Sequence, residues 1–219
     1  PISTRIVLKV KRKANGEFEK FKARAVVRGF MAKIGVDFYS TYCPMASLNT
    51  CRMVMALGLK HNLAIHHADI PQAFIQSELD RDIYITLPKG ISISHDLLSK
   101  VQRQTPGSQL GIRLLKSLYG LKQAPMLWNK MLNDVMVSMD FTRSKSDTCL
   151  YVSEGKNGTW CACAAFVDDI IVTGTDEAKI AEMKEVFRSR FKGEGQWDET
   201  INSFLGVHIE YNTQELTFS

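Results

Sequence analysis

The chain has 219 residues, 45% of them hydrophobic, and a formal net charge of +5. This length and composition suffice for one sizeable core or for two closely joined subdomains. No run of roughly eighteen apolar residues occurs, which excludes a transmembrane helix, and we expect no membrane partner. Five cysteines without paired spacing predict reduced thiols in an intracellular protein. Because the chain begins with Pro1 and not with Met, we expect it to be a piece of a longer protein.

The positive charge is concentrated near the N-terminus. Residues 1–33 contain ten Lys or Arg and two Glu, a net charge of +8, which leaves −3 for the remainder. Such a basic block indicates either contact with a polyanion or a solvated hairpin face, and the charge alone leaves both readings open.

Hydrophobic periodicity and turn residues define the predicted elements of the first half. In chain order these are a hairpin over residues 4–29 with a turn at Asn15–Gly16, a helix over 47–62 capped by Ser47 or Asn49, a strand over 63–70, a short turn or helix from Pro71, a strand over 82–87, a polar irregular insertion over 91–110, and a short strand over 112–115.

The same signals define the second half. The predicted elements are a helix over 118–139 with Pro125 in the first turn of its main part, strands over 149–152, 160–166 and 170–173, a helix over 176–191 capped by Asp176, and a last pair of strands over 203–211 and 215–218. Strands mixed with helices and joined by hairpins favour an α+β fold over a parallel doubly wound sheet.

Three aspartates are the candidates for chemistry. Asp168 and Asp169 lie between two apolar runs in AAFVDDIIVTG, which is typical of a hairpin with carboxylates at its tip. Asp69 ends an apolar strand, and the carboxylates converge if that strand neighbours the hairpin. Hard oxygen ligands of this kind suit Mg²⁺, and two such ions are typical of phosphoryl transfer. A plain turn and a strand-end cap are the alternatives. The adjacent His66 and His67 face opposite ways on a strand, and we interpret them as structural.

Five motifs occur in a recognisable order: KARAVVRGF (22–30), Asp69 with Phe74 five residues later, SLYGLKQAP (117–125), FVDD (166–169) and FLG (204–206). Their order and spacing resemble the reverse transcriptase domain of copia-like LTR retrotransposon polyproteins, over nearly the whole chain. The resemblance implies the palm and fingers of a polymerase right hand, with an antiparallel palm sheet and packed helices. It places 1–62 and part of 75–125 in the fingers and 63–74 and 126–211 in the palm, with the thumb largely missing.

The resemblance also implies roles for individual residues. The catalytic carboxylates would be Asp69, Asp168 and Asp169, which with Ile70 would form a site for two Mg²⁺ ions, or for Mn²⁺. The nucleotide-binding residues would be Lys22, Arg24, Phe74, Tyr119, Gly120 and Gln123. The primer and template residues would be Phe166, Val167, Phe204, Leu205 and Gly206.

The implied activity is RNA-directed and DNA-directed DNA polymerisation that copies retrotransposon RNA into cDNA. Its expected partners are an RNA template, a DNA primer, deoxynucleoside triphosphates, and the protease, integrase and ribonuclease H regions of the same polyprotein. The expected location is a cytoplasmic virus-like particle or the nucleus. The sequence departs from the family pattern in several places. Phe166 stands where Tyr is usual, Met126 stands where a basic residue is common, and Pro71–Gln72 and Gln76–Ser77 replace more usual residues around Asp69. A catalytically decayed remnant that only binds nucleic acid is therefore the alternative. An unrelated nuclease or phosphatase would not explain Phe74 or SLYGLKQAP.

Overall fold

A computed structural model describes residues 1–12, 16–96, 99, 111–193, 195–211 and 216–218. Its elements in chain order are β1 (Thr4–Arg12), β2 (Phe18–Val27), a 3-10 helix (Gly29–Met31), α1 (Leu48–Lys60), β3 (His66–Asp69), α2 (Ala73–Gln76), β4 (Tyr84–Ile85), β5 (Ile112–Arg113), α3 (Ala124–Ser138), β6 (Thr142–Arg143), β7 (Leu150–Glu154), a second 3-10 helix (Lys156–Gly158), β8 (Trp160–Phe166), β9 (Asp169–Gly174), α4 (Glu177–Arg190), β10 (Gln196–Asp198), β11 (Ser203–Phe204), β12 (Val207–Tyr211) and β13 (Leu216–Phe218).

The chain divides into two compact units, the first formed by residues 1–41 and 77–127 and the second by residues 42–76 and 128–219. This division places 42–62 in the second unit, whereas the sequence placed them with the N-terminal segment. The names fingers and palm stay predictions for these units.

The first unit contains two small antiparallel sheets, β1–β2 and β4–β5. Alternation along the hairpin pairs Leu8 with Ala23 and Val10 with Phe21 on one face. The predicted turn residue Asn15 lies outside the described residues, as do 97, 98 and 100–110 of the predicted insertion.

The second unit is built on an antiparallel sheet with the described strand order β10-β3-β9-β8-β7-β6. Because side chains alternate along a strand, the sheet carries a separate apolar core on each face. Ile170 of β9 belongs to one core, together with Trp128 and Met136 of α3 and Met183 of α4. Ile171 belongs to the other. That second core takes Cys51, Val54 and Met55 of α1, and Phe204 and Ile209 of the small β11-β12-β13 sheet.

Local capping signals in the sequence are confirmed. The Ser47 side chain accepts a hydrogen bond from the Thr50 amide at the start of α1, and Asp176 accepts one from the Lys179 amide at the start of α4. Pro125 lies in the first turn of α3, where no backbone donor is needed. The mixed helix and sheet content agrees with the predicted α+β class.

One predicted strand is wrong. The segment 203–211 is interrupted by a turn at Leu205 and Gly206, so that β11 and β12 pair antiparallel. Both turn residues have positive φ, 52° and 80°, and the apolar pattern of the segment concealed this reversal.

None of the described helices is long and apolar enough to cross a membrane. All five cysteines are free thiols. Burial raises the pKa of Cys161 to about 12, and its side chain faces the core together with that of Cys163.

Candidate active site

Strand pairing brings the three aspartates to one end of the main sheet. Asp69 is the last residue of β3 and lies directly opposite Asp169, the first residue of β9. The Ile70 amide donates a hydrogen bond to the Asp168 carbonyl oxygen at 2.9 Å. The two strands predicted to be neighbours are therefore neighbours, and they place the backbone of all three aspartates at adjacent positions. Whether these carboxylates act in catalysis stays a prediction.

The turn between β8 and β9 has an unusual conformation. Phe166 pairs with Asp169, which leaves Val167 and Asp168 as a two-residue turn. Val167 has φ of 59°, a left-handed value that costs a residue with a Cβ about 1–2 kcal/mol. Trp128 stabilises the turn, because its indole Nε1 donates a hydrogen bond to the Val167 carbonyl oxygen at 2.7 Å. Strain of this kind persists only where the surroundings enforce it, and it is found most often at functional sites.

His67, on β3, contacts Asp169 and approaches a further carboxylate, Asp198. Its Nε2 lies 2.9 Å from Asp169 Oδ1 and its Nδ1 lies 3.7 Å from Asp198 Oδ2. Burial lowers the pKa of the imidazole, but the hydrogen bond to Asp169 and the charges of Asp169 and Asp198 outweigh it, so that the pKa of His67 is raised. Our interpretation of His67 as merely structural missed this contact. The signal was its spacing of two residues from Asp69, which places both side chains on one face of the strand.

The carboxylate oxygens at this end of the sheet are ligands of the type that a divalent cation such as Mg²⁺ prefers. Within the described ranges, no three or more His, Cys, Asp or Glu side chains already converge as a metal-holding group. Mg²⁺ does not require one, because it binds through one or two carboxylates and completes its shell with water and substrate phosphates. Asp69 and Asp168 supply two carboxylates at adjoining backbone positions, while one oxygen of Asp169 already bonds His67.

Within the second unit, the buried side-chain amide of Gln76 ties the segment after Asp69 to the chain that follows α4. The Gln76 Nε2 donates to the carbonyl oxygens of Pro71, at 2.8 Å, and Lys192, at 2.6 Å. Its Oε1 accepts from the Lys192 amide at 3.1 Å. Phe74 is half-buried between these contacts, packed on the core that α3 and α4 share. The packing of Phe74 and the hydrogen bonds of Gln76 therefore hold α2, which follows Asp69 in the chain, in a defined place.

In the first unit, the predicted nucleotide-binding residues lie where β2 meets SLYGLKQAP. The Arg24 guanidinium lies 5.6 Å from the centre of the Tyr119 ring, and the Val27 amide donates to the Tyr119 carbonyl oxygen at 2.8 Å. Gly120 has φ of 91°, and a Cβ there would lie 2.0 Å from the Val27 carbonyl oxygen, so only glycine fits.

Two further predicted nucleotide-binding residues of this unit lie nearby along the same elements. Lys22 is two residues before Arg24 on β2, opposite Lys9 in the hairpin register. Gln123 is fully buried, and its Nε2 donates to the Asp37 carbonyl oxygen at 2.8 Å.

Two of the predicted primer residues, Phe166 and Phe204, lie on the same face of the sheet as Asp169, whereas Val167 packs against the core on the other face. Phe204 is buried, and its ring meets the Phe166 ring edge-on at 6.5 Å and the His67 ring at 6.1 Å. Leu205, at the tip of the following turn, is 38% exposed. The structure thus gathers Phe166, Phe204 and His67 around Asp169.

Comparison with known proteins gives a consistent result. The whole chain, residues 1–219, matches a family described as reverse transcriptase (RNA-dependent DNA polymerase). It is 29% identical over 184 residues to the Retrovirus-related Pol polyprotein from transposon TNT 1-94 of Nicotiana tabacum, covering 84% of this chain and 13% of that protein. It is 28% identical over 218 residues to the Retrovirus-related Pol polyprotein from transposon RE2 of Arabidopsis thaliana, covering 100% of this chain and 14% of that protein. The chain therefore spans only a small part of these relatives.

Among solved structures, apo telomerase from Candida tropicalis, truncated from the C-terminal domain, matches with a TM-score of 0.46 and 14% sequence identity. The match covers 100% of this chain and 55% of that one.

Proposed function

Because the chain belongs to the reverse transcriptase (RNA-dependent DNA polymerase) family, we propose that it extends a DNA primer on an RNA or DNA template by nucleotidyl transfer. The expected resemblance to copia-like retrotransposon polymerases is confirmed at the level of the family. The observation that carries the proposal is the direct pairing of Asp69 with Asp169 beside the Asp168 turn. We assign the palm to the unit of 42–76 and 128–219, and the fingers to the unit of 1–41 and 77–127.

Asp69 and Asp168 would hold two Mg²⁺ or Mn²⁺ ions, with Ile70 and Asp169 beside them. Bound there, the ions would lower the pKa of the attacking primer hydroxyl and neutralise charge on the leaving pyrophosphate. The protein's own part is to hold the carboxylates in place. Strand pairing fixes Asp69 against Asp169, and the turn anchored by Trp128 fixes Asp168. Positioning, together with electrostatic stabilisation, supplies most of the catalysis in phosphoryl transfer.

Phe74 would select deoxynucleotides, because a flat ring under the incoming sugar leaves no room for a 2′-hydroxyl. Its fixed placement on α2 supports this role. Replacing Phe74 by Val should raise ribonucleotide incorporation, measured as the ratio of the two kcat/KM values for rNTP and dNTP. An unchanged ratio would remove Phe74 from the sugar site.

The remaining predicted residues receive their roles by the same proposal. Lys22 and Arg24 would bind the triphosphate, to which the planar guanidinium is matched. Tyr119 and Gly120 would line the nucleotide and template side, with the fully buried Gln123 supporting this segment from within. Phe166, Val167, Phe204, Leu205 and Gly206 would form the primer side. The natural setting would be an intracellular polyprotein with protease, integrase and ribonuclease H regions.

The deciding experiment is Mg²⁺-dependent primer extension on an RNA template by the wild type and by Asp168→Asn. We expect the substitution to abolish extension while binding of the primer–template, measured by fluorescence anisotropy, is retained. Asp134→Asn is the matched control, since Asp134 is an exposed carboxylate on α3. It should extend primers as the wild type does.

Two outcomes would contradict the proposal. Extension by Asp168→Asn would show that the site is assigned wrongly. A wild type that binds primer–template without extending it would instead favour the non-catalytic remnant, whose binding would depend on the basic N-terminal hairpin and fall with salt.

A further inference from the structure

We propose that His67 is a positioning residue that holds the Asp169 carboxylate through one oxygen and so sets the affinity of the aspartate site for a divalent cation. This rests on the proposed function. The contact that carries it is the 2.9 Å hydrogen bond between His67 Nε2 and Asp169 Oδ1. Because an ionised carboxylate can only accept, the ring donates from Nε2. The His67 side chain is 14% exposed, so little water competes for this bond.

The imidazole is itself held from several sides. His67 lies on β3 between β9 and β10, opposite Ile171 on one strand and Asp198 on the other. Asp198 Oδ2 lies 3.7 Å from Nδ1, and the ring of Phe204 meets the imidazole edge-on at 6.1 Å. The orientation of the Nε2 donor is thus fixed by flanking groups on two sides and by the sheet beneath.

Asp198 is anchored in turn. The Gln196 Nε2 donates to both Asp198 carboxylate oxygens, at 2.8 and 3.0 Å. A chain of contacts therefore runs from Gln196 through Asp198 and His67 to Asp169. Outer contacts of this kind orient carboxylates that bind metal ions, and their removal typically costs about 10–100-fold in metal affinity or activity.

The contact also gives unequal roles to the two adjacent aspartates. With Oδ1 accepting a hydrogen bond from His67, the Asp169 carboxylate is held in one orientation, which limits how freely it could turn toward a cation. Asp168 lies in the turn, beyond the reach of the strand alternation that directs Asp169 toward His67. Asp69 and Asp168 would then be the two carboxylates that hold the cations most directly.

Two substitutions of His67 distinguish the effect of its Nε2 hydrogen bond from the effect of ring packing. The amide nitrogen of Gln reaches the place of the imidazole Nε2, whereas that of Asn reaches only the place of Nδ1. His67→Gln should therefore retain the bond to Asp169, and His67→Asn should lose it. His66→Asn is the matched control, because His66 lies on the opposite face of β3 and accepts a hydrogen bond from the Trp197 indole at 3.4 Å.

The test measures Mn²⁺ binding by electron paramagnetic resonance, with Mn²⁺ alone as the probe, together with kcat and the dNTP KM of primer extension. We expect His67→Asn to weaken Mn²⁺ binding and lower kcat by about 10–100-fold with KM little changed. We expect His67→Gln and His66→Asn to stay within about threefold of the wild type. Urea midpoints of each variant show whether the chain is folded.

Each result decides the matter. Equal Mn²⁺ affinity in the wild type and a folded His67→Asn overturns the inference. Equal losses in His67→Asn and His67→Gln would mean that ring packing, and not the donor, is what matters, and would overturn it too. If the wild type fails to extend primers, the proposed function fails, while the ordering of Mn²⁺ affinities still decides the role of His67.

Discussion

Trp128 couples the core of the second unit to the turn that carries Asp168, and Trp128→Phe tests that coupling. The indole is 2% exposed, meets the Phe191 ring edge-on at 5.3 Å, and donates its only N–H to the Val167 carbonyl oxygen at 2.7 Å. Phe keeps one ring of the two but cannot donate. The substitution therefore leaves an acceptor without its partner and a gap beside α4.

The expected loss can be worked from these contacts. A half-buried carbonyl deprived of its donor costs about 1 kcal/mol. The missing ring volume costs about 1–2 kcal/mol, less than full truncation to Ala because one aromatic ring remains. We therefore expect unfolding in urea to show a loss of about 2–3 kcal/mol, with faster amide hydrogen exchange at 166–169 than in the wild type.

Trp160→Phe is the matched control for this measurement. Trp160 is only partly buried at the start of β8, where its ring meets the His61 ring at 5.6 Å, so its substitution should cost less. A loss below about 0.5 kcal/mol in Trp128→Phe would refute the reasoning. A full loss of stability with unchanged exchange at the turn would show that Trp128 fills the core without anchoring Val167.

Three further predictions concern pH and turn geometry. Burial lowers the pKa of His66 below 6.5, so its contribution to stability is complete above that pH and is lost as pH falls toward the lowered value. Urea midpoints between about pH 5 and 7 should therefore rise with pH less steeply in His66→Gln, and an unchanged slope would contradict this. Burial raises the pKa of Asp147, but hydrogen bonds from the Thr50 hydroxyl and two backbone amides outweigh it, so the pKa is lowered. Asp147→Asn should cost about 1–3 kcal/mol at neutral pH and flatten the loss of stability below pH 3.8, and a pH profile parallel to the wild type would argue against it. Leu205→Asn, which creates an Asn-Gly turn with Gly206, should stabilise by about 0.5–1 kcal/mol, since Asn tolerates positive φ, yet weaken primer binding if the turn contacts the primer. A lower thermal midpoint would oppose the turn argument.

The elements that sequence predicted correctly are those whose signals are local. Ser47 and Asp176 cap their helices because a side-chain oxygen needs only the amide three residues on. Pro125 at the start of α3 is a local rule of the same kind. The prediction of one strand over 203–211 failed because leucine rarely adopts a positive φ. Only the pairing of β11 with β12 enforces that conformation at Leu205.

The same distinction between local and long-range signals applies to the candidate site. Motif chemistry and spacing named Asp69, Asp168 and Asp169, since carboxylates at strand ends and in tight turns are visible in the residue types alone. Sequence could state only that they would converge if two strands about a hundred residues apart were neighbours. The register that pairs Asp69 with Asp169 is a long-range property of the sheet.

The sequence by itself thus determined the α+β class, the helix caps, the three aspartates and the resemblance to retrotransposon polymerases. Tertiary structure decided which side chains meet. It brought the Trp128 indole into a hydrogen bond with the Val167 carbonyl oxygen, and His67 into one with Asp169. The physical reason is that capping, turn and motif chemistry act within a few residues, whereas these contacts depend on register and packing between segments distant in the chain.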